Sequence, residues 1–221
     1  MDDRAVLADA LVEAARAGGL PAERVERVER LSGGASKESW GFVLIAPDGG
    51  ETALVLRRQP PGKRFSSQGL SGMTVEAEVL RQAGRAGVPV PAVAFELPEG
   101  SPAGDGYAMA RLAGETVGVR VLKDPSLAQA REALARQCGA VLARIHAMPI
   151  DPALGLVEHG ARDALAALEE RHRATGQARP VFEFALRWLD DNLPAEERRT
   201  FLHGDFRNGN LVVGQIGRAH V

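Results

Sequence analysis

His203-Gly204-Asp205-Phe206-Arg207-Asn208-Gly209-Asn210, HGDFRNGN, stands near the end of this 221-residue chain. It places an aspartate and, five positions later, an asparagine in one glycine-containing segment. On either side lie Thr200–Leu202 and Leu211–Val213, two short runs that read as strands. Phosphoryl transfer needs a carboxylate within hydrogen-bond reach of the attacking hydroxyl, and hard oxygen ligands for Mg²⁺. Asp205 suits the first task, and the amide oxygen of Asn210 the second. Gly204 and Gly209 permit the tight backbone that such a loop requires. His203 reads as a brace of the loop rather than a base. Arg207 and Asn208 read as exposed, with Arg207 able to face an anionic substrate.

Upstream, the texture supplies a scaffold for that loop. Val6, Leu7, Ala10, Leu11 and Ala14 recur at helical spacing, and Gly18-Gly19 with Pro21 ends the helix. From Val25 to Arg57, VERVERL, SWGFVLIAP and ETALVLRR are strand-like runs separated by Gly33-Gly34 and Asp48-Gly49-Gly50, an antiparallel meander. PPGKRFSSQGLSGM is a mobile loop by composition. TVEAEVLRQAGRAG is a helix with Val75, Val79, Leu80 and Ala83 on one face. VPVPAVAFEL and YAMARL are two further strands, the first an edge because of its prolines. Beyond AGET the chain turns helical. Leu127, Leu134, Cys138, Val141, Leu142 and Ile145 make a long apolar stripe, and helices follow around Ala164–Arg173 and Val181–Asn192. Five strands with one helix after the third, then helices, predict an α+β, bilobal chain joined near Arg111–Glu115. The expected boundaries are an N-terminal nucleotide-binding lobe over 1–112 and a partial helical lobe with the HGD loop over 113–214.

Several residues in this frame carry the charge or the backbone donors that a nucleotide requires. In LSGGASKESW, Gly33 and Gly34 let backbone N–H groups approach a polyanion, with Ser32, Ala35 and Ser36 around them and two hydroxyl donors among these. The alternative there is a polar hairpin turn. On the third strand, Ala53, Val55 and Arg57 share one face. Protein kinases carry a phosphate-pairing lysine at the place that Arg57 holds, and their H-R-D-x-x-x-x-N loop has the interval from Asp205 to Asn210. Arg57 stays charged and grips phosphate bidentately, with a different reach from lysine; the alternative is a surface arginine. Glu76 is placed to point back at Arg57, while its competitor Glu78 faces more toward solvent. Ala110 and Leu112, at the lobe connection, offer backbone groups to a base. His146 ends the long helix, where packing is the expected role.

Bulk properties narrow the alternatives. A net charge of −2 gives no electrostatic case for nucleic acid or an anionic membrane. No apolar run approaches the ~20 residues of a membrane-spanning helix. Cys138 is the only cysteine, which fits a reducing cytoplasm, and its neighbours suggest a small buried hydrophobe.

Taken together, the segments from LSGGASKESW through LVLRRQPPG, VEAEVLRQAGRAGVPVP, YAMARLAGET, LARIHAMP and RWLDDNLP to HGDFRNGNLVV resemble the aminoglycoside phosphotransferase-related family. These are small-molecule kinases of the protein-kinase-like fold, and the nearest branch includes the kinase-like domain joined to some acyl-CoA dehydrogenases. The resemblance implies a five-stranded antiparallel N-lobe sheet with one helix, ATP and Mg²⁺ as cofactors, and a small-molecule hydroxyl as acceptor, for that branch one on a hydroxyacyl thioester rather than an antibiotic. It further implies Asp205 as catalytic base, Asn210 as magnesium ligand, and Arg57 with Glu76 as the phosphate-positioning pair. One departure stands out: the family carries a second magnesium carboxylate shortly after the loop, and no Asp or Glu follows Asn210 here. Reverse-translated, Ile216–Val221 with a stop codon matches a common sequencing-library adapter. Residues 215–221 are therefore expected to be a non-native tail, odd as a strand continuation, on an incomplete C-lobe. The 221-residue product is expected to be unstable or inactive. The competing expectation is a non-catalytic nucleotide-binding module of the same fold. A coincidental HGD loop in an interaction protein ranks last.

Overall fold

Alternation along one strand sets out the two faces on which the molecule is built. In the computed structural model, which describes residues 3–31, 37–62, 72–196, 198–214 and 219–220, β3 (Glu51–Gln59) buries Leu54, Leu56 and Arg58 on one side. Val55 and Arg57 lie half-buried on the other. The strand is flanked by β2 (Glu38–Ile45) and β5 (Asp105–Ala110), and outside these lie β1 (Arg24–Arg30) and β4 (Val93–Glu96). The sheet order is β1-β2-β3-β5-β4, antiparallel throughout. This is the expected five-stranded antiparallel sheet with one helix, α2 (Met73–Arg85), between the third and fourth strands; the meander runs through β1–β3, and β5 rather than β4 then pairs with β3. The proline-preceded β4 takes the edge, where missing N–H donors cost least.

The first face of the sheet is closed by α1 (Asp3–Ala17). Its stripe of Leu7, Ala10, Leu11, Ala14 and Ala15 packs on Trp40, Phe42, Leu44, Leu54, Leu56 and Phe95. Arg58 shares this side without being stranded: Glu38 takes its Nη2 at 2.9 Å, and the Ala103 carbonyl its Nη1 at 3.0 Å. The second face is closed by α2, with Met73 and Ala77 against Tyr107, and Leu80, Val93 and Met109 around them. This shifts the expected apolar face of the helix. Val75 and Val79 are only half-buried, because the helix begins at Met73 and the small Ala77 lets it approach β5. Glu76 is thereby carried on the inner side, between Met73 and Leu80.

After β5 the chain forms α3 (Gly118–Lys123), a 3₁₀ turn at Pro125–Leu127 and the long α4 (Ala128–Ala147). Asp124 caps the turn through the Ser126 N–H at 2.9 Å. Val121, Leu127, Ala130, Leu211 and Val213 make a second core, with Leu134, Cys138 and Phe206 against it. Burial raises the Cys138 thiol pKa, as befits its half-buried apolar surroundings. Thr200–Leu202 is not a strand: Phe201 is buried and Leu202 exposed, with no pairing partner among the described residues. His146 is exposed rather than packed. Val212–Val213 is β6, and it pairs antiparallel with a separate two-residue strand, β7 (Ala219–His220).

Two compact units result: Met1–Leu154 with Thr200–Val221, and Gly155–Arg199. The second holds α5 (Ala161–Ala174) and α6 (Pro180–Asp191), joined by a His172 to Glu183 contact at 3.0 Å and edge-on packing of His172 and Phe182. Among the described residues, no helix is long and apolar enough to cross a membrane.

Candidate functional site

The strand register places Arg57 directly opposite Tyr107 on β5 and Ser39 on β2. From α2, Glu76 reaches down between them. Arg57 donates through Nε to Glu76 Oε1 at 2.5 Å, and the Tyr107 hydroxyl donates to the same oxygen at 2.9 Å. The other oxygen, Oε2, accepts from Lys37 Nζ. Glu78 instead pairs with Arg81 and Arg85 on the outside of the helix. Burial pushes the Glu76 carboxyl up. The Arg57 charge and the Lys37 and Tyr107 interactions outweigh this, holding it below its ordinary value. Burial, with Glu76 alongside, pushes the Tyr107 hydroxyl well up, so it stays a donor. The carboxylate is thus fixed in position, and among the described residues the terminal nitrogens of Arg57 carry no hydrogen bond.

Sequence reasoning missed Lys37. It stands inside a Gly/Ser-rich stretch that reads as turn. Yet it lies one residue before β2 and has the parity of Ser39, which pairs with Arg57. Side-chain alternation puts it on the Arg57 face. Tyr107 was passed over because its apolar strand setting reads as core. Ser32, Gly33, Gly34, Ala35 and Ser36 lie outside the described residues.

Val55, opposite Met109, lies half-buried on the Arg57 side of the sheet. The Ala110 N–H is already used by the Ala92 carbonyl at 2.9 Å, so it is no free donor for a base. Leu112 lies half-buried just beyond β5.

The HGD loop is organised from within. Gly204 has φ of +77°, which only glycine adopts readily. The Asp205 N–H donates to His203 Nδ1 at 3.3 Å, and the imidazole packs edge-on to Phe206, itself anchored in the second core. Burial lowers the His203 pKa, which favours a neutral ring able to accept that bond. Asn210 Nδ2 donates to the Asp205 carbonyl at 2.8 Å and to its Oδ2 at 2.9 Å. Both partners are acceptors, so the amide nitrogen is turned inward and Oδ1 outward. Arg207 Nε bridges both Asp205 oxygens at 2.9 and 3.1 Å. The Asn210 bond, with Arg207 adding to it, keeps the exposed Asp205 carboxyl below its ordinary value, hence ionised at neutral pH.

Pairing fixes this loop against the connection that leaves the sheet. Glu115 and Val213 exchange backbone hydrogen bonds at 3.0 and 2.9 Å. A Cβ on Gly118 would stand 3.2 Å from that of Asn208. A fit to Mg²⁺ rests on Asn210 Oδ1, since no group of three His, Cys, Asp or Glu among the described residues could hold a metal.

The comparisons with known proteins agree with this architecture. Residues 27–221 match the model of the family described as "Phosphotransferase enzyme family". The chain is 30% identical over 169 residues to mouse "Acyl-CoA dehydrogenase family member 10", a match covering 72% of this chain and 15% of that protein. A solved structure from Ralstonia eutropha JMP134, described as "a putative aminoglycoside phosphotransferase", superposes with a TM-score of 0.65 at 22% identity. That superposition covers 92% of this chain and 59% of the other, and it shows the kinase-like fold.

Proposed function

Because the chain belongs to the phosphotransferase enzyme family, we propose that it serves to move the γ-phosphoryl group of ATP to the hydroxyl of a small molecule. The observation that carries this reading is the Asp205–Asn210 pair. An ionised carboxylate and an outward amide oxygen are held in one loop by two hydrogen bonds. Asp205 accepts the proton of the acceptor hydroxyl. As it does, the hydroxyl oxygen bonds to the γ-phosphorus, and the bond from that phosphorus to the β,γ-bridging oxygen breaks, its electron pair leaving with ADP. The terminal nitrogens of Arg57, aimed by Glu76, hold phosphate oxygens, and the Ser32–Ser36 segment adds backbone and hydroxyl donors. Val55, Ala110 and Leu112 lie along the base. Asn210 Oδ1 would ligate Mg²⁺, which when bound neutralises phosphate charge.

Among acceptors we favour a hydroxyacyl thioester. The support is the relative named as an acyl-CoA dehydrogenase, of which this chain spans a small part, and the exposed Arg207 guanidinium beside the base, which suits an anionic molecule. The lone cysteine supports work in a reducing cytoplasm.

The want of a three-ligand acidic cluster among the described residues favours a second reading: a module that binds nucleotide without transfer. Labelled γ-phosphate transfer from Mg-ATP to hydroxyacyl thioesters, amino sugars and amino alcohols separates the two. The proposal expects label in an acceptor, a result that would also overturn the expectation that the 221-residue product is inactive, and Asp205→Asn to reduce it about 100-fold or more while nucleotide still binds. Binding without any transfer would favour the module. Absence of nucleotide binding would overturn both readings.

A further inference from the structure

Two cations converge on one carboxylate, and they are not equivalent. Lys37 retains 8% side-chain exposure, Glu76 13% and Arg57 36%. The lysine is thus the buried member and the arginine the more exposed one. Glu76 divides its oxygens between them, Oε2 to Lys37 and Oε1 to Arg57 and Tyr107. Arg57 contributes only Nε, although a guanidinium alone with a carboxylate prefers the two-pronged contact. With Lys37 present, the group of Lys37, Glu76 and Arg57 carries one net positive charge; without it, none.

We propose that Lys37 is a positioning residue for the nucleotide phosphates. Its ammonium occupies and neutralises Glu76, so that the charge and terminal nitrogens of Arg57 stay available to the phosphate. The proposal rests on the nucleotide-binding reading of this site. It explains how an arginine serves on β3. An arginine paired to the helix glutamate through both prongs would be spent on it, and a second, buried cation prevents that. Lys37 touches no phosphate in this account; it acts through Glu76 on Arg57.

The test measures Mg-ADP affinity of the full 221-residue chain by calorimetry, with the thermal midpoint of each variant recorded alongside. Lys37→Met should weaken binding about tenfold or more, since Arg57 turns both prongs to Glu76. Lys37→Arg should restore most of it. In Lys37→Met/Glu76→Gln the neutral amide still accepts from Arg57 Nε but no longer captures it. That double variant should bind at least about threefold more tightly than Lys37→Met, and less than about tenfold more weakly than the parent. It also removes the uncompensated buried charge, so it carries the test should the single variant unfold. A structural role alone would lower the thermal midpoint and leave affinity in the folded protein unmoved. Parental affinity in Lys37→Met, or a double variant as weak as the single one, would overturn the proposal and leave the function standing. A parent chain that binds no Mg-ADP would overturn both together.

Discussion

Asp205 enters any reaction with both carboxylate oxygens already engaged, one by Asn210 and both by Arg207. These contacts keep it ionised and also occupy the positions from which it would accept a proton. Arg207→Ala should therefore move the Asp205 carboxyl up toward its ordinary 3.8, read as a shift of its carboxyl carbon resonance during acid titration. An unchanged midpoint would show that Arg207 does not hold the carboxylate in solution. His203 is tested by the same method. Burial lowers it, so its ring should titrate below the ordinary 6.5, and a midpoint above that value would contradict the packed, accepting imidazole. The pairings of Arg57 with Glu76 and of Asp205 with Asn210 join residues that the sequence singles out by type and interval, while their roles rest on the proposed function. Lys37 was not singled out. A lysine after Gly-Gly-Ala-Ser reads as loop polarity, and only the β2 register reveals which face it shares.

Among the elements, the sheet was the most readable because its cores alternate. On β5, Ala108 joins the α1 side while Tyr107 and Met109 join the α2 side. Phe42, fully buried under α1, should cost about 3–5 kcal/mol when changed to alanine, measured by urea denaturation. A loss below 1 kcal/mol would mean that α1 is not seated on the sheet. Tyr107→Phe removes a single donor to an ionised oxygen. It should cost about 1.5–3 kcal/mol by the same measurement, and less to the extent that water replaces the hydroxyl. What eluded pattern reading was contextual. Thr200–Leu202 has the composition of a strand but no pairing partner among the described residues, and strands are defined by pairing. The inner face of α2 was set by where the helix begins and by the small size of Ala77, which periodicity alone does not weigh.

For the molecule as a whole, acid should be the weak side of stability. Glu76 and Glu38 are both held below their ordinary 4.5. In each, burial opposes the shift, and it is outweighed by Arg57 and Lys37 at Glu76, and by Trp40 and Arg58 at Glu38. Depressed carboxylates contribute stability that is complete above the unfolded value and lost as pH falls through the folded one. The urea midpoint should thus hold from neutrality down to about 4.5 and drop below it. A flat profile through that range would deny the ion cluster its role. The central claim is that the Arg57–Glu76 group and the HGD loop serve one nucleotide, and paramagnetic broadening tests it most directly. With Mn²⁺ and ATP added to the isotope-labelled chain, the account predicts that amide signals of Arg57 on β3 and of Asp205 and Asn210 in the loop broaden together. Both sets should recover when EDTA removes the metal. Broadening at the loop with none at Arg57, or the reverse, would contradict it.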